Sequence, residues 1–375
     1  MVCNVNTDRD CGPAIYTQVD VSGTTTCAVV SDGSLLCWGG NPSGEMGPAT
    51  TGNHLVPYRI PYQQQVRAVA TGYGFTCVLL STGQVDCWGR NGNGALGCAN
   101  PETSSMGPQC TPYPPGSPVS QIVAGAERAC ARMGDGTVQC WGRNDHNDLG
   151  DGTTLFKYTP VPVLGIENAT TIASGVWQAC AVLADGTVKC WGANNRAELG
   201  NGTTAATPTA TLVSGIDGIT NKVLAVSPAE DHSCVLLADG SIRCFGENLY
   251  GELGDGKTVM GLVPVVAQFP KDATGVASGI QFTCALFGPA SLQCLGKGAS
   301  GQLGNGAFAQ SPTPVVVSLP EGASVQSLAV KYNHICALGS EGELWCWGDN
   351  SSGQLGNGTT TNSNRPVEVP EPGVH

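Results

Sequence analysis

The sequence predicts an all-β repeat protein, and three observations predict it. Cysteines recur in seven pairs whose partners stand ten positions apart: Cys27 and Cys37, Cys77 and Cys87, Cys130 and Cys140, Cys180 and Cys190, Cys234 and Cys244, Cys284 and Cys294, Cys336 and Cys346. The first cysteine of each pair returns after 50, 53, 50, 54, 50 and 52 residues, a period that belongs to propellers and solenoids. Between the partners, Val, Ile and Leu alternate around Asp-Gly turns, which is strand and hairpin chemistry, and no stretch shows a helical period.

The elements of one unit follow in order, and unit four shows them all. A short apolar run, T-T-I-A-S-G, leads into a variable loop, V-W-Q-A, and a Cys-led strand, C-A-V-L. The turn A-D-G reverses the chain into T-V-K-C-W-G, and the long loop A-N-N-R-A-E-L-G-N-G-T-T closes the unit. In unit one, a three-residue turn at Ser31-Asp32-Gly33 with Gly33 left-handed sets Val30 opposite Ser34 and Cys27 opposite Cys37. Opposed residues lie about 4.5–5.5 Å apart at Cα, within a disulfide's span, so seven cross-strand disulfides are expected.

The other cysteines form local pairs by position, Cys3 with Cys11 and Cys98 with Cys110. Zinc ligation is disfavoured because the chain has no C-x-x-C and only five scattered His. Disulfides imply an oxidising compartment, hence a secreted, periplasmic or cell-surface location. Met1-Val2-Cys3 leads straight into polar sequence rather than into an apolar signal region, so the expectation is a mature form whose export signal has been removed.

Composition narrows the function classes. Of 375 residues, 53 are Gly and 24 Pro, and 12% are charged against about 25% in an ordinary soluble protein. The chain is 41% apolar, yet no apolar run approaches the roughly 18 residues of a membrane span. A net charge of −12 and the lack of a basic block argue against nucleic acid as a partner.

The segment W-G-x-N-x-x-G-x-L-G stands at Trp347–Gly356 and, with Ala197 in the second glycine's place, at Trp191–Gly200. Together with the preceding hairpin and a following Pro-Val strand, it resembles the repeat of the regulator of chromosome condensation family. Seven copies cover nearly the whole chain. The resemblance implies a seven-bladed β-propeller of four-stranded antiparallel blades, a single domain over residues 1–375 with residues 1–16 as an extension. Phe245 and Leu295 replace the Trp in units five and six, and Gly288-Pro289-Ala290 replaces the Asp-Gly turn in unit six. P-V-E-V-P at Pro366–Pro370 reads as a last strand completing the blade begun near the N-terminus, so that the terminal strands share a blade and no edge is free.

Two nucleotide-binding patterns dissolve in this repeat. Gly251–Thr258 fits G-x-x-x-x-G-K-[ST] and Gly92–Gly97 fits G-x-G-x-x-G, but V-M-G-L-V-P-V-V after Thr258 is no helix, and both fall in the repeat loop. No cofactor is expected.

In an up-and-down blade the loop before the first Cys and the loop after C-W-G share one face. That face carries the residues that differ most between units, and the partner-binding candidates there are Tyr73, Phe75, Arg128, Trp177, His232, Phe282, Tyr332 and His334. The competing reading is that residues two before the Cys, such as Phe75 or His334, pack between blades. There is no G-x-S-x-G and no H-E-x-x-H, so no enzyme is expected. His232 beside Glu230 and Asp231 reads either as a metal or acid/base site or as a solvated acidic loop, and Asp145–Gly150 lacks the spacing of a calcium loop. N-x-[ST] sequons occur at Asn168, Asn201, Asn350 and Asn357.

Members of the resembling family include a nuclear exchange factor, a plant photoreceptor and a secreted bacterial inhibitor. Nine disulfides conflict with the first role, and a lone loop tryptophan, Trp177, with the second. The expectation is a monomeric secreted protein-binding module, an inhibitor or receptor-type protein, whose partner is a neutral or basic protein. The alternatives are a glycan-binding propeller and a polysaccharide-active enzyme on the same scaffold.

Overall fold

The structure, a computed structural model, describes residues 14–47, 50–99 and 105–372. The expected pair Cys3–Cys11 lies outside them. Among the described residues twenty-eight strands form seven sheets of four, each sheet antiparallel and built from four consecutive strands. Blade 1 runs Tyr16–Val21, Thr25–Val30, Leu35–Gly39 and His54–Arg59, from the inside of the ring outward.

The hairpin register is the one the cysteine spacing predicts. Cys27 pairs with Cys37, and the same opposition recurs in every blade through Cys336 and Cys346. All seven pairs form disulfides with Cα atoms 4.0–4.1 Å apart, a little nearer than the about 4.5 Å typical of close opposed residues. Gly33 has φ 76°, the left-handed corner the three-residue turn requires. Cys98 and Cys110 form an eighth bridge beside the second blade's outer strand.

The long loop is tied by its asparagine. In unit four Asn194 Oδ1 accepts from Leu199 N at 3.0 Å while Nδ2 donates to Ala205 O at 2.8 Å. Asn248 does the same around the lysine-bearing loop, donating to Lys257 O at 3.2 Å. The backbone that a phosphate would need is thereby folded onto its own side chain. Asn350 is buried in the same role, which removes that sequon from modification in the folded state.

Ring closure differs from the expectation. The last strand, Ser363–Glu368, pairs with Leu344–Gly348 of its own unit, and blade 1 has its own outer strand in His54–Arg59. Each Pro-Val strand folds back on the C-W-G strand before it, so seven units already own seven outer strands and none is missing. Blade 7 meets blade 1 through an ordinary seam instead. Trp38 Nε1 and Thr26 Oγ1 donate to Gln354 O at 3.0 and 2.8 Å, as Trp88 and Thr76 donate to Glu45 O between blades 1 and 2. Tyr16, Val19 and Trp38 pack on Leu338, Leu355 and Val369 across the closing seam.

The buried tryptophans are seam residues with one difference among them. Trp38, Trp88, Trp141 and Trp347 each donate an indole N–H to a backbone carbonyl of the neighbouring blade. Trp191 Nε1 is buried with no partner. Since both substitutions remove the same ring volume, Trp347→Phe should cost about 1 kcal/mol more than Trp191→Phe, the worth of one buried hydrogen bond. Urea denaturation of the two variants measures that difference directly; equal costs would refute it.

Candidate functional site

The two variable loops of each unit are fastened together. The residue after C-W-G donates its N–H to the loop before the first Cys in all seven units: Gly40 to Thr24, Arg90 to Gly74, Arg143 to Glu127, Ala193 to Trp177, Glu247 to Asp231, Lys297 to Gln281 and Asp349 to Asn333, at 2.7–3.1 Å. Both loops therefore lie on one face. The inner loops are also joined from blade to blade, with Tyr73 N donating to Ala126 O, Ala126 N to Val176 O, Val176 N to Ala229 O and Ile280 N to Tyr332 O. The result is a collar around the central channel.

Five of the eight candidates are not on this surface. Phe75, Arg128, His232, Phe282 and His334 are all at most 1% exposed. Each stands two residues before its Cys, and strand alternation turns that position into the seam with the next blade. The Phe75 and Phe282 rings fill the space beside Gly72 and Gly279, where a Cβ would lie within about 2 Å of a ring carbon. His232 Nε2 pairs with Thr283 Oγ1 at 2.9 Å and His334 Nε2 with Thr26 Oγ1 at 3.0 Å. Burial pushes both imidazoles down to about 3. They are neutral interblade pins, and the His232 ring is committed to Thr283 across the seam. Arg128 reaches Asp148 at 3.5 Å, Val176 O at 3.2 Å and Ser174 Oγ at 3.1 Å, and also donates to Gln178 O.

Tyr73, Trp177 and Tyr332 remain on the collar. Tyr73 is 50% exposed and its ring lies 6.5 Å from that of the half-buried Tyr332. Burial pushes the Tyr332 phenol up, so it stays a neutral donor. Trp177 is half-buried and held from two sides. The Arg143 guanidinium lies 4.7 Å from its ring centroid and the His146 ring at 6.1 Å.

Charged residues beyond the eight candidates complete the face. Glu127 binds Arg90 at 3.1 Å, Arg143 at 3.3 Å and the Asn93 amide at 2.8 Å. On the next blades Arg196 pairs with Glu247, while burial first holds the Glu230 and Asp231 carboxyls above their ordinary range, with repulsion from Asp231 adding at Glu230 and from Glu247 at Asp231. The signal was available: the residue after C-W-G is Arg90, Arg143, Glu247, Lys297 or Asp349 in five of seven units. Its constant phase places it beside the variable loop.

Asp145, His146 and Asp148 bring ligand atoms within 4.8 Å of one another. Asp145 is taken by Arg143 at 2.6 Å and Asp148 by Arg128, so cations of the chain already answer these carboxylates. The channel encloses about 350 Å³. Its pair, Lys331 and Asp20 at 3.3 Å, is mutually neutralised, and Lys331 also donates to Thr71 O at 2.9 Å.

Comparison with known proteins adds the relatives. Family models described as the regulator of chromosome condensation (RCC1) repeat match residues 16–182, 230–252 and 325–375. The ultraviolet-B receptor UVR8 of Arabidopsis thaliana is 28% identical over 253 residues, 67% of this chain and 46% of that protein, so the match spans about half the receptor's length. Human WBSCR16 superposes with a TM-score of 0.80 at 23% identity, over 91% of this chain and 94% of its own. Prp20p of Saccharomyces cerevisiae, a protein with binding properties toward Gsp1p and histones, gives 0.79 at 20% identity, over 96% and 88%. At these identities the structural likenesses speak for the fold.

Proposed function

This chain belongs to the regulator of chromosome condensation repeat family, and from that premise we propose that it is a secreted binding module that holds one protein partner on its collar face. The observation that carries the reading is the asymmetry between the two ends of the ring. On the collar, Tyr73, Trp177 and Tyr332 stand among charged residues that change from unit to unit, whereas at the opposite end four of the seven units repeat one self-satisfied turn. There Asp135 Oδ1 accepts from Thr137 and Asp185 Oδ1 from Thr187 in the same geometry. Eight disulfides among the described residues support an extracytoplasmic setting.

Rigid aromatics supply contact area at small entropy cost, and binding energy concentrates in a few of them. Trp177 is already flanked by Arg143 and His146, and its loop is bonded to Ala193, so little freedom is lost on binding. The net charge of −12 favours a neutral or basic partner. A glycan reading is weaker, because a sugar needs an open ring face and Arg143 lies across one face of Trp177.

The test begins with affinity capture from the native secretome and continues with the captured partner in titration calorimetry. Tyr73→Ala, Trp177→Ala and Tyr332→Ala combined should weaken binding by about 100-fold or more, with a thermal midpoint close to that of the parent. Hydrogen exchange should show protection of residues 72–74, 175–177 and 331–333. Unchanged affinity, or protection confined to the turns at 134–136 and 184–186, would overturn the proposal. A glycan array with the same variant separates sugar from protein.

A further inference from the structure

One position of the repeat loop behaves differently in different blades. The residue before Leu-Gly or Met-Gly is Glu45, Ala95, Asp148, Glu198, Glu252, Gln302 and Gln354 in units one to seven. Apart from Ala95 these are polar side chains, all at most 2% exposed. One oxygen of each caps the backbone N–H two residues earlier: Ser43 to Glu45, His146 to Asp148, Arg196 to Glu198, Tyr250 to Glu252, Ser300 to Gln302 and Ser352 to Gln354, at 2.7–3.1 Å.

The second terminal atom decides the chemistry. In units six and seven it is an amide nitrogen that reaches the next blade's collar loop, Gln302 Nε2 donating to Asn333 Oδ1 at 3.3 Å and Gln354 Nε2 to Gly23 O at 3.4 Å, the latter also donating to Asp349 of its own unit at 2.9 Å. In unit three, Asp148 is answered by Arg128. In units four and five the corresponding atoms, Glu198 Oε1 and Glu252 Oε1, are buried and have no partner. A carboxylate in that place is an unpaired buried acceptor, whereas a carboxylic acid has an O–H that can do what the glutamine N–H does. By repeat position, the places of Asn333 are taken by Asp231 in blade 5 and Gln281 in blade 6, and both offer acceptor oxygens.

We propose that Glu198 and Glu252 are a proton-operated latch: as neutral acids they lock the collar loops across the blade 4/5 and 5/6 seams, and their ionisation releases them. The inference is independent of what the collar binds.

The surroundings favour the protonated form. Around Glu198 stand Arg196 on its own loop, which is drawn to Glu247, and Asp231 from blade 5. The Ser233 hydroxyl donates to the Glu198 backbone carbonyl rather than to its carboxyl. Around Glu252 stand Glu247 and Asp231 from blade 5. From blade 6, Thr283 donates to the Glu252 backbone carbonyl and also meets the neutral His232, while Lys297 lies over the Tyr250 ring and binds Gln281 Oε1. Burial is the main cause that pushes both carboxyls up to about 7; the Asp231 charge adds to it at Glu198, and Glu247 and then Asp231 add to it at Glu252.

The sign follows from linkage. The folded state holds these protons where the unfolded chain has released them. Stability from the latch is therefore complete below the ordinary value of 4.5 and falls as pH rises through about 7. A shift of that size corresponds to on the order of a hundredfold in the unfolding equilibrium for each group.

The experiment compares the parent with Glu198→Gln/Glu252→Gln, whose amides mimic the neutral acid, by urea denaturation with disulfides intact from about pH 4.5 to about pH 8. The parent's unfolding constant should rise at least about tenfold more than the variant's over that window. Native-state hydrogen exchange, corrected for intrinsic rates, should show residues 196–200 and 250–254 opening more often at the alkaline end in the parent alone. Parallel pH profiles for the two proteins would overturn the proposal. If the variant does not fold, carboxyl carbon resonances of ¹³C-glutamate in the parent decide: two that titrate near 7 support the latch, and carboxyls that all titrate near 4.5 refute it.

Discussion

With its disulfides reduced, the chain is expected to lose the folded state altogether. Each cross-strand bridge closes a hairpin of ten positions, and by loop entropy a bridge of that size is worth roughly 3 kcal/mol. Seven such terms do not simply add, yet even half of their sum is comparable with the about 5–15 kcal/mol of net stability a domain possesses. The chain denatured in urea with reductant should not refold until oxidant is restored, as judged by circular dichroism. Native protein should resist at first, because the hairpin cysteines are at most 1% exposed and thiolate attack must await opening of a blade. The Cys98–Cys110 bridge is the exception: Cys98 is part-exposed, and its bridge should be reduced first. Peptide mapping without reduction should find only links within blades; links between blades, or a cooperative refolding transition under reductant, would refute the account.

Removing the Arg128 guanidinium should be the most damaging single substitution among the binding candidates. Arg128→Met leaves Asp148 buried without its cation, and breaking such a pair from one side costs about 3–5 kcal/mol. Asp148→Asn in the same chain should recover much of that loss, because the stranded charge goes with it. A double-mutant cycle by urea denaturation should therefore show strong coupling between the two sites. The pH dependence has a definite sign. Burial already holds the Asp148 carboxyl above its ordinary range, and Arg128 opposes that shift. Without Arg128 the carboxyl rises further, so the variant should be weakest near neutral pH and regain stability as the pH falls and Asp148 takes up a proton. If Arg128→Met instead weakened partner binding at unchanged stability, the buried placement of Arg128 would be wrong.

The repeat made much of the fold legible before any coordinates. The Cys27–Cys37 register came from turn geometry alone, because a three-residue hairpin leaves no freedom in which residues oppose. The face shared by the two variable loops followed from strand direction. The order of strands is local information, but the partner of an outer strand is not. P-V-E-V-P could pair with its own unit or with blade 1, and both choices satisfy the same backbone groups; the C-W-G strand beside it took it.

The candidate site divides in the same way. Tyr73 and Trp177 lie at loop centres, where the backbone carries side chains away from the seam. Phe75, Arg128, His232, Phe282 and His334 share one phase two residues before a Cys, and a list of aromatic and charged residues cannot show that this phase faces a neighbouring blade. Arg128 is the clearest case. An arginine in a loop-adjacent position reads as a surface residue, and only Asp148 from the facing loop, with the carbonyls of Val176 and Gln178 from the next blade, makes its burial tolerable.

The class of fold, the number of blades, the eight bridges seen among the described residues and the end of the ring on which variation is gathered were all legible in the amino-acid order. These depend on periodicity, turn residues and spacing, all of which act within about fifty residues of chain. Which of those varied residues reach solvent, how the ring closes and why one carboxyl oxygen each of Glu198 and Glu252 has no partner became visible only in the folded ring. Those outcomes depend on contacts between blades, where a side chain's surroundings come from the next unit, and no local pattern encodes what the neighbouring blade presents.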